Sequence, residues 1–224
     1  MNGLLTSLMG ATAQGVLWGI MALGVYITYK LLKISDLTVD GSFALGGCVC
    51  AVLILGGMSP ALATLIAIIA GLAAGAVTGI LHTVFNIPAI LSGILTQISL
   101  WSINLRIMSG KSNLPLLNSE TIISFFVGRS GSSTIESASG FAKALGMTQS
   151  TASLVIGIVI AIIIVAILYW FFGTEIGSAL RATGNNEAMI RALGVNTNRT
   201  KLLALMISNA LVSFSGALVA QSQK

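Results

Sequence analysis

Residues 156–172 read IGIVIAIIIVAILYWFF, residues 173–180 GTEIGSAL, and residues 181–201 RATGNNEAMIRALGVNTNRTK. The first run is unbroken hydrocarbon ending in Tyr169, Trp170, Phe171 and Phe172, an aromatic belt of the kind that marks where a membrane helix meets the headgroups. The third run is polar, carries arginine, and is followed from about Thr200 by another long apolar segment. The chain therefore leaves the membrane near Phe172 and re-enters it near Thr200. What lies between is not slack, because Gly184-Asn185 and Gly194-Val195-Asn196 punctuate it as helix ends and starts do.

Within this insert, residues 175–183 predict one short helix, with Gly184 as its left-handed terminator and Arg181 in the last turn, where a cation suits the helix dipole. Asn185 is expected to cap a second helix whose apolar side is Met189, Ala192 and Leu193. Glu187 and Arg191 form an i,i+4 pair of the favoured orientation, and Gly194 ends the helix. Thr197 or Asn198 is expected to cap the membrane helix that follows. The result is an amphipathic helical hairpin. A solvated connector has no use for the second helix's apolar stripe, so the stripe is expected to lie on headgroups or to fill a groove on a protein.

The rest of the chain agrees with a membrane location. Charged residues are 8% of the 224 and hydrophobic ones 55%, with mean hydropathy +0.98. Soluble domains carry about 25% charged residues, and a soluble fold of this composition would have little to face water with. The fold class is all-α integral membrane, a polytopic bundle of about six helices in one domain covering 1–224. Spans are expected at 11–32, 38–58, 60–81, 88–108, 151–172 and 200–220, each near the ~20 apolar residues that cross a bilayer. A long connection, 109–150, is expected on one side with one or two short surface helices, and the hairpin connection, 173–199, on the other. No cleavable signal peptide is expected, since residues 1–10 lack a basic start and the first apolar stretch runs on to Tyr29.

The 11 basic residues against 6 acidic ones sit at helix ends and in loops, which suits anchoring and docking and excludes a nucleic-acid surface. If the spans alternate, Lys30, Lys33, Arg181, Arg191, Arg199 and Lys201 fall on one side, and Arg106, Lys111, Arg129, Lys143 and Lys224 on the other. That split is too even to fix the orientation.

Two patterns speak to packing. Ala67, Gly71, Gly75 and Gly79 recur every four residues, as do Ala11, Gly15 and Gly19, and small residues at this spacing let helix backbones approach closely. Polar side chains form two further stripes: Gly93, Gln97 and Asn104 in the fourth span, and Asn209, Ser213, Gly216 and Ala220 in the sixth. An amide in hydrocarbon must be paired or face water. These stripes are therefore expected to point inward, as interhelical hydrogen bonds or as the lining of a translocation path. Asp40, at the start of the second span, is either an interfacial charge at a helix N-terminus or a ligand in such a path.

Little else carries chemistry. Cys48 and Cys50 point to different faces of a helix, and His82 has no second ligand spaced to join it, so no metal or other cofactor is expected. Ser109-Gly110-Lys111-Ser112 has Leu105 where a phosphate loop needs glycine. No nucleophile–base or paired-carboxylate constellation is present, which argues against an enzyme.

The insert 174–205, TEIGSALRATGNNEAMIRALGVNTNRTKLLAL, resembles the cytoplasmic coupling loop of permease subunits in ATP-binding cassette (ABC) importers of the branched-chain amino acid, ribose and tryptophan/tyrosine uptake type. The matching positions are Gly177, Arg181 and Ala182, then Met189-Ile190-Arg191-Ala192-Leu193-Gly194-Val195. Residues 18–47, WGIMALGVYITYKLLKISDLTVDGSFALGG, resemble the family's first span, basic turn and second span, with DLTVDGSFALGG most similar to the tryptophan/tyrosine systems. The resemblance implies a multi-pass cell-membrane permease for an amino acid or similar solute, with the insert cytoplasmic and the amino terminus outside. Its implied partners are a separate cytoplasmic ATPase, an extracytoplasmic binding protein and a second permease copy, identical or homologous. It also implies that Arg181, Asn185, Glu187, Met189, Arg191, Leu193 and Gly194 form the ATPase contact. Family members continue with further spans beyond the position of Lys224, so a shorter family fold is expected here. A stand-alone secondary carrier or channel is the alternative, but it calls for ionisable residues in mid-membrane, and the centres of the third, fifth and sixth spans have none. A scaffold or membrane enzyme would need a soluble domain or a catalytic cluster.

Overall fold

A computed structural model describes residues 2–111, 113–116, 121 and 149–223. The long connection 109–150, with its expected surface helices, lies largely outside the described residues. The helices in order are α1 (Asn2–Tyr26, running on as a π-helical turn, Ile27–Leu31), α2 (Thr38–Leu55), α3 (Pro60–Thr83), α4 (Ala89–Ile107), α5 (Gln149–Gly173), the short α6 (Glu175–Asn185) and α7 (Glu187–Ala192), and α8 (Thr197–Ser222). Six of them, α1 to α5 and α8, are long and apolar enough to cross a membrane. The chain is an all-α polytopic membrane protein.

Local chemistry sets the helix limits. Pro60 starts α3 at a position where its missing N–H is not needed. The second helix stops at Leu55, three residues before Met58, because Gly57 takes a left-handed φ of 84°. At the end of α1 the ladder widens into the π turn, Ile34 N–H reaches back to Thr28 O (3.0 Å), and Lys33 sits at φ 57°. The chain thereby reverses into α2 within a few residues.

The bundle is organised around α8. In its apolar window 67% of residues are buried within the chain, against 11% for α5, which leans chiefly on α1. Helices α1, α2 and α3 all pack on α8, and α4 joins through α2 and α3. The glycine run of α3 faces this hub. A Cβ on Gly71 would strike Ser213 and the carbonyl of Asn209, one on Gly75 the carbonyl of Leu205, and one on Gly79 the Leu202 side chain. On α2, Gly46 backs against the Ser213 carbonyl, and Gly216 of α8 against the Phe43 carbonyl.

The contacts are thus backbone on backbone, and hydroxyls finish them. Ser208 Oγ donates to Gly24 O (2.7 Å), Ser213 Oγ to Ala67 O (2.6 Å) and Ser215 Oγ to Leu17 O (2.7 Å). Interhelical hydrogen bonds of this kind average about 0.6 kcal/mol each, whereas forcing a methyl into a filled seam costs about 1–3 kcal/mol. Close approach therefore matters more to stability here than the hydroxyl bonds do.

The seam expected on α1 behaves differently, for a Cβ on Gly15 or Gly19 would meet nothing within 4 Å among the described residues. Gly75→Val should therefore lower the thermal midpoint of the detergent-solubilised protein by several degrees, and Gly15→Val should leave it within about one degree. Equal shifts for both would contradict α8 as the hub.

Candidate functional site

The hairpin between α5 and α8 is built by caps. Thr174 Oγ1 accepts from Gly177 N–H (3.4 Å) at the start of α6. That helix does not stop at Gly184, which is helical and lacks the left-handed φ expected of it. Its smallness answers a different need, because a Cβ there would run into the carbonyl of Leu31, where α6 crosses the end of α1. The helix runs on through Asn185, so the cap of α7 is Asn186, whose Oδ1 accepts from Met189 N–H (3.1 Å). Asn185, expected in that role, is the last residue of α6. Likewise Asn196, not Thr197 or Asn198, caps α8, accepting from Arg199 N–H (3.2 Å). Adjacent asparagines and threonines all suit a cap chemically, and tertiary contact chose among them.

Arg181 is also placed differently from the expectation. It lies in the middle of α6, and its Nη2 donates to Phe172 O (2.7 Å), a carbonyl in the last turn of α5. The cation does serve a helix C-terminus, but that of the preceding membrane helix. At Gly194 the expectation holds. Its φ is 85°, Gly194 N–H bonds Arg191 O (3.1 Å) and Val195 N–H bonds Ile190 O (3.3 Å), a Schellman turn. Ile190 is buried, while Met189 and Leu193 are 59% and 67% exposed.

Glu187 faces away from that exposed pair. Its Oε2 accepts from Lys201 Nζ (2.7 Å), and its Oε1 from Arg191 Nη2 (2.9 Å) and Thr197 Oγ1 (3.1 Å). The hydrogen bond from Lys201 is the main force holding the Glu187 carboxyl below the ordinary glutamate range; partial burial opposes it, and the charges of Lys201 and Arg191 and the Thr197 hydroxyl reinforce it. A lowered folded pKa means that the contribution is fully present above the unfolded value of about 4.3 and is lost as pH falls through the folded value. The tie is therefore intact at neutral pH. At 37% exposure for the Glu187 side chain, such a pair contributes about 0–1 kcal/mol to stability, so its value is in fixing geometry.

Deeper in the bundle lies a buried polar junction. Asn209 of α8, fully buried, accepts from Ser42 Oγ (2.7 Å) and donates to Asp36 Oδ2 (2.8 Å) and Leu205 O (3.0 Å). Asp36 Oδ1 accepts Thr38 N–H (2.9 Å), which starts α2. Gly93 of α4 closes the junction, since a Cβ there would come within 2.8 Å of Leu37 N and 3.4 Å of Asp36 Oδ1. Beside it, the hydroxyls of Thr38 and Thr78 meet at 2.8 Å. Sequence reasoning misses Asp36; its position two residues before Thr38, the spacing of an Asx turn, is the only signal that could have found it.

The remaining expected residues scatter. Asn209 and Ser213 are both fully buried and bonded between helices, so within this chain they fasten α8. Asp40 is exposed in the first turn of α2. Gln97 is half-buried on α4, and Asn104 is buried there, with Nδ2 on Gly41 O (3.4 Å) and no partner on Oδ1 among the described residues. His82 Nδ1 bonds Ile87 O (2.9 Å) within its own turn, and among the described residues no cluster could hold a metal ion.

A bundle of apolar helices fastened on one central helix, with a capped amphipathic hairpin outside it, defines a polytopic membrane protein. The model of the branched-chain amino acid transport system permease component matches residues 7–224, and the chain belongs to that family of ABC importer permeases. It is a multi-pass protein of the cell membrane. It is 39% identical over 217 residues to a tyrosine transport system permease protein of Clostridioides difficile, covering 97% of this chain and 65% of that protein. It is 33% identical over 221 residues to an uncharacterized protein of Rickettsia prowazekii (99% and 69%), and 25% identical over 198 residues to a ribose import permease protein of Escherichia coli (88% and 56%). The chain thus spans about two thirds of the length of its first two relatives. No solved structure matches it.

Truncating Asn209 to alanine leaves one Asp36 oxygen without its amide partner, an expected loss of about 1–3 kcal/mol, while Ser42 Oγ keeps the Val39 carbonyl (3.1 Å). Asn209→Ala should lower the thermal midpoint more than Ser213→Ala, which removes a hydroxyl and leaves only the Ala67 carbonyl, already bonded within its helix. The reverse order would show that the junction does not hold α8.

Proposed function

We propose that this chain forms the translocation path of an importer driven by a separate cytoplasmic ATPase, that α7 is its contact with that ATPase, and that the cargo is tyrosine or a related amino acid. The observation that carries the coupling role is the exposed pair Met189 and Leu193 on a helix whose other side is capped and fastened. An apolar pair presented on a rigid helix fits a groove on a protein, whereas a helix lying on headgroups needs no such buttress. Gly194 and Asn186 fix its ends, Arg181 secures the base of the hairpin, and Asn185 completes α6. The cargo follows from the tyrosine permease relative. Gln97 and Asn104 on α4, the latter with its Oδ1 unpartnered among the described residues, are the polar groups best suited to line a path, with Asp40 at its cytoplasmic rim. Hydrolysis takes place on the partner. An extracytoplasmic binding protein delivers the solute, and a second permease copy, identical or homologous, completes the passage.

In cells expressing the transport operon, Met189→Asp with Leu193→Asp should reduce radiolabelled tyrosine uptake at least tenfold and abolish copurification of the ATPase, with membrane insertion unchanged. Retained copurification would remove α7 as the contact. In a Cys48→Ala, Cys50→Ala background, Ala188→Cys should resist impermeant maleimide applied to intact cells and react in inverted vesicles. Labelling from outside would reverse the orientation and end the coupling role.

A further inference from the structure

We propose that Glu187 is a positioning residue that locks α7 to the first turn of α8, so that the docked helix and the central membrane helix move as one lever. Helix α7 has six residues and one buried side chain, Ile190. By packing alone it would swing on its two linkers. Glu187 removes that freedom, joining Lys201 and Thr197, both in the first turns of α8, while its Oε1 also holds Arg191 of α7 itself. Arg191 in turn donates to Thr197 (3.1 Å), so the two helices are tied at three points. Thr197 is buried and the Lys201 side chain only 18% exposed, while the Glu187 side chain is 37% exposed.

The disposition around α7 is what a lever needs. At about 100° per residue, Met189 and Leu193 lie about 200° and 240° around the helix from Glu187, and Arg191 about 40°. One side is free for a partner; the opposite side is fastened to α8. Helix α8 is the element on which α1, α2 and α3 pack, and Asn209 on it is bonded to Asp36 and Ser42. A displacement of α7 therefore reaches the α1–α2 turn and the start of α2 through bonded groups.

The lever's use in transport rests on the coupling reading given above; the lock itself does not. In the full chain in nanodiscs, spin labels at Ala188→Cys and Leu203→Cys, in the background lacking Cys48 and Cys50, should give one narrow distance by pulsed electron resonance. Glu187→Gln and, separately, Lys201→Met should at least double its width, and Glu187→Lys with Lys201→Glu should restore it. An unchanged width in both single variants overturns the proposal, whether or not an ATPase binds. In the assembled complex with its ATPase and binding protein, Lys201→Met, on the α8 arm of the tie, should keep copurification of the ATPase. The ratio of ATP hydrolysed to radiolabelled tyrosine taken up should rise at least fivefold, and the charge swap should bring it back. Loss of copurification in Lys201→Met would make the tie a docking contact and overturn the positioning role. Failure of the unaltered permease to hold an ATPase would instead sink the coupling reading, and the distance measurement would still decide the lock.

Discussion

Everything in this bundle depends on how closely other backbones approach α8. In lipid the apolar side chains of two helices gain nothing by leaving the solvent for each other, so association rests on contact area and on polar groups that need partners. Helix α8 answers both demands with small residues. Gly71, Gly75 and Gly79 of α3 and Gly46 of α2 present bare backbone to it, and Gly216 does the same toward Phe43. At that separation Ser208, Ser213 and Ser215 can reach carbonyls on neighbouring helices, which longer spacing would forbid. On the α3 side the hydroxyl bond, Ser213 to Ala67, is a consequence of the glycines.

The same closeness makes room for the Asp36–Asn209–Ser42 junction. A carboxylate near hydrocarbon is expensive unless it is bonded, and both Asp36 oxygens are, one to the Thr38 N–H and one to the Asn209 amide. The arrangement joins the turn after α1, the start of α2 and the middle of α8, with Gly93 of α4 against its side. Removing Ser42 takes the partner from the buried Asn209 Oδ1, and removing Asn209 takes the partner from Asp36 Oδ2, so the junction behaves as a unit.

Much of this is legible in the sequence. The number and approximate extent of the spans follow from hydropathy alone, and the four-residue recurrence in α3 announces a seam that the fold uses. The equivalent recurrence in α1 does not translate, because periodicity shows that a helix can be approached closely but not that anything within the chain does so. In the insert, the helical hairpin, the Glu187–Arg191 pair and the Gly194 terminator are readable because each is decided within a few residues. Gly184 misleads because its reason is the crossing of Leu31, far away in the chain. The caps slide by one residue for the same cause. Asp36 escapes sequence reasoning altogether, since its partner Asn209 lies 173 positions on and no local pattern connects them. What is set by near neighbours can be read from a sequence; what is set by the meeting of distant helices cannot.

Energy and geometry separate cleanly at Glu187. Its bonds to Lys201 and Thr197 are too exposed to matter for folding, where pairs of this kind contribute about 0–1 kcal/mol. Yet they occupy both carboxylate oxygens and join a six-residue helix to the helix that carries the bundle. A tie this weak in free energy is still strong enough to select one orientation, because the alternative orientations of so short a helix differ by little else. The glycines of α3 decide whether α8 is held; Glu187 decides what α8 is held to. A substitution at the first should be felt as stability, and one at the second as a loss of registry between the hairpin and the membrane helices, with stability nearly unchanged.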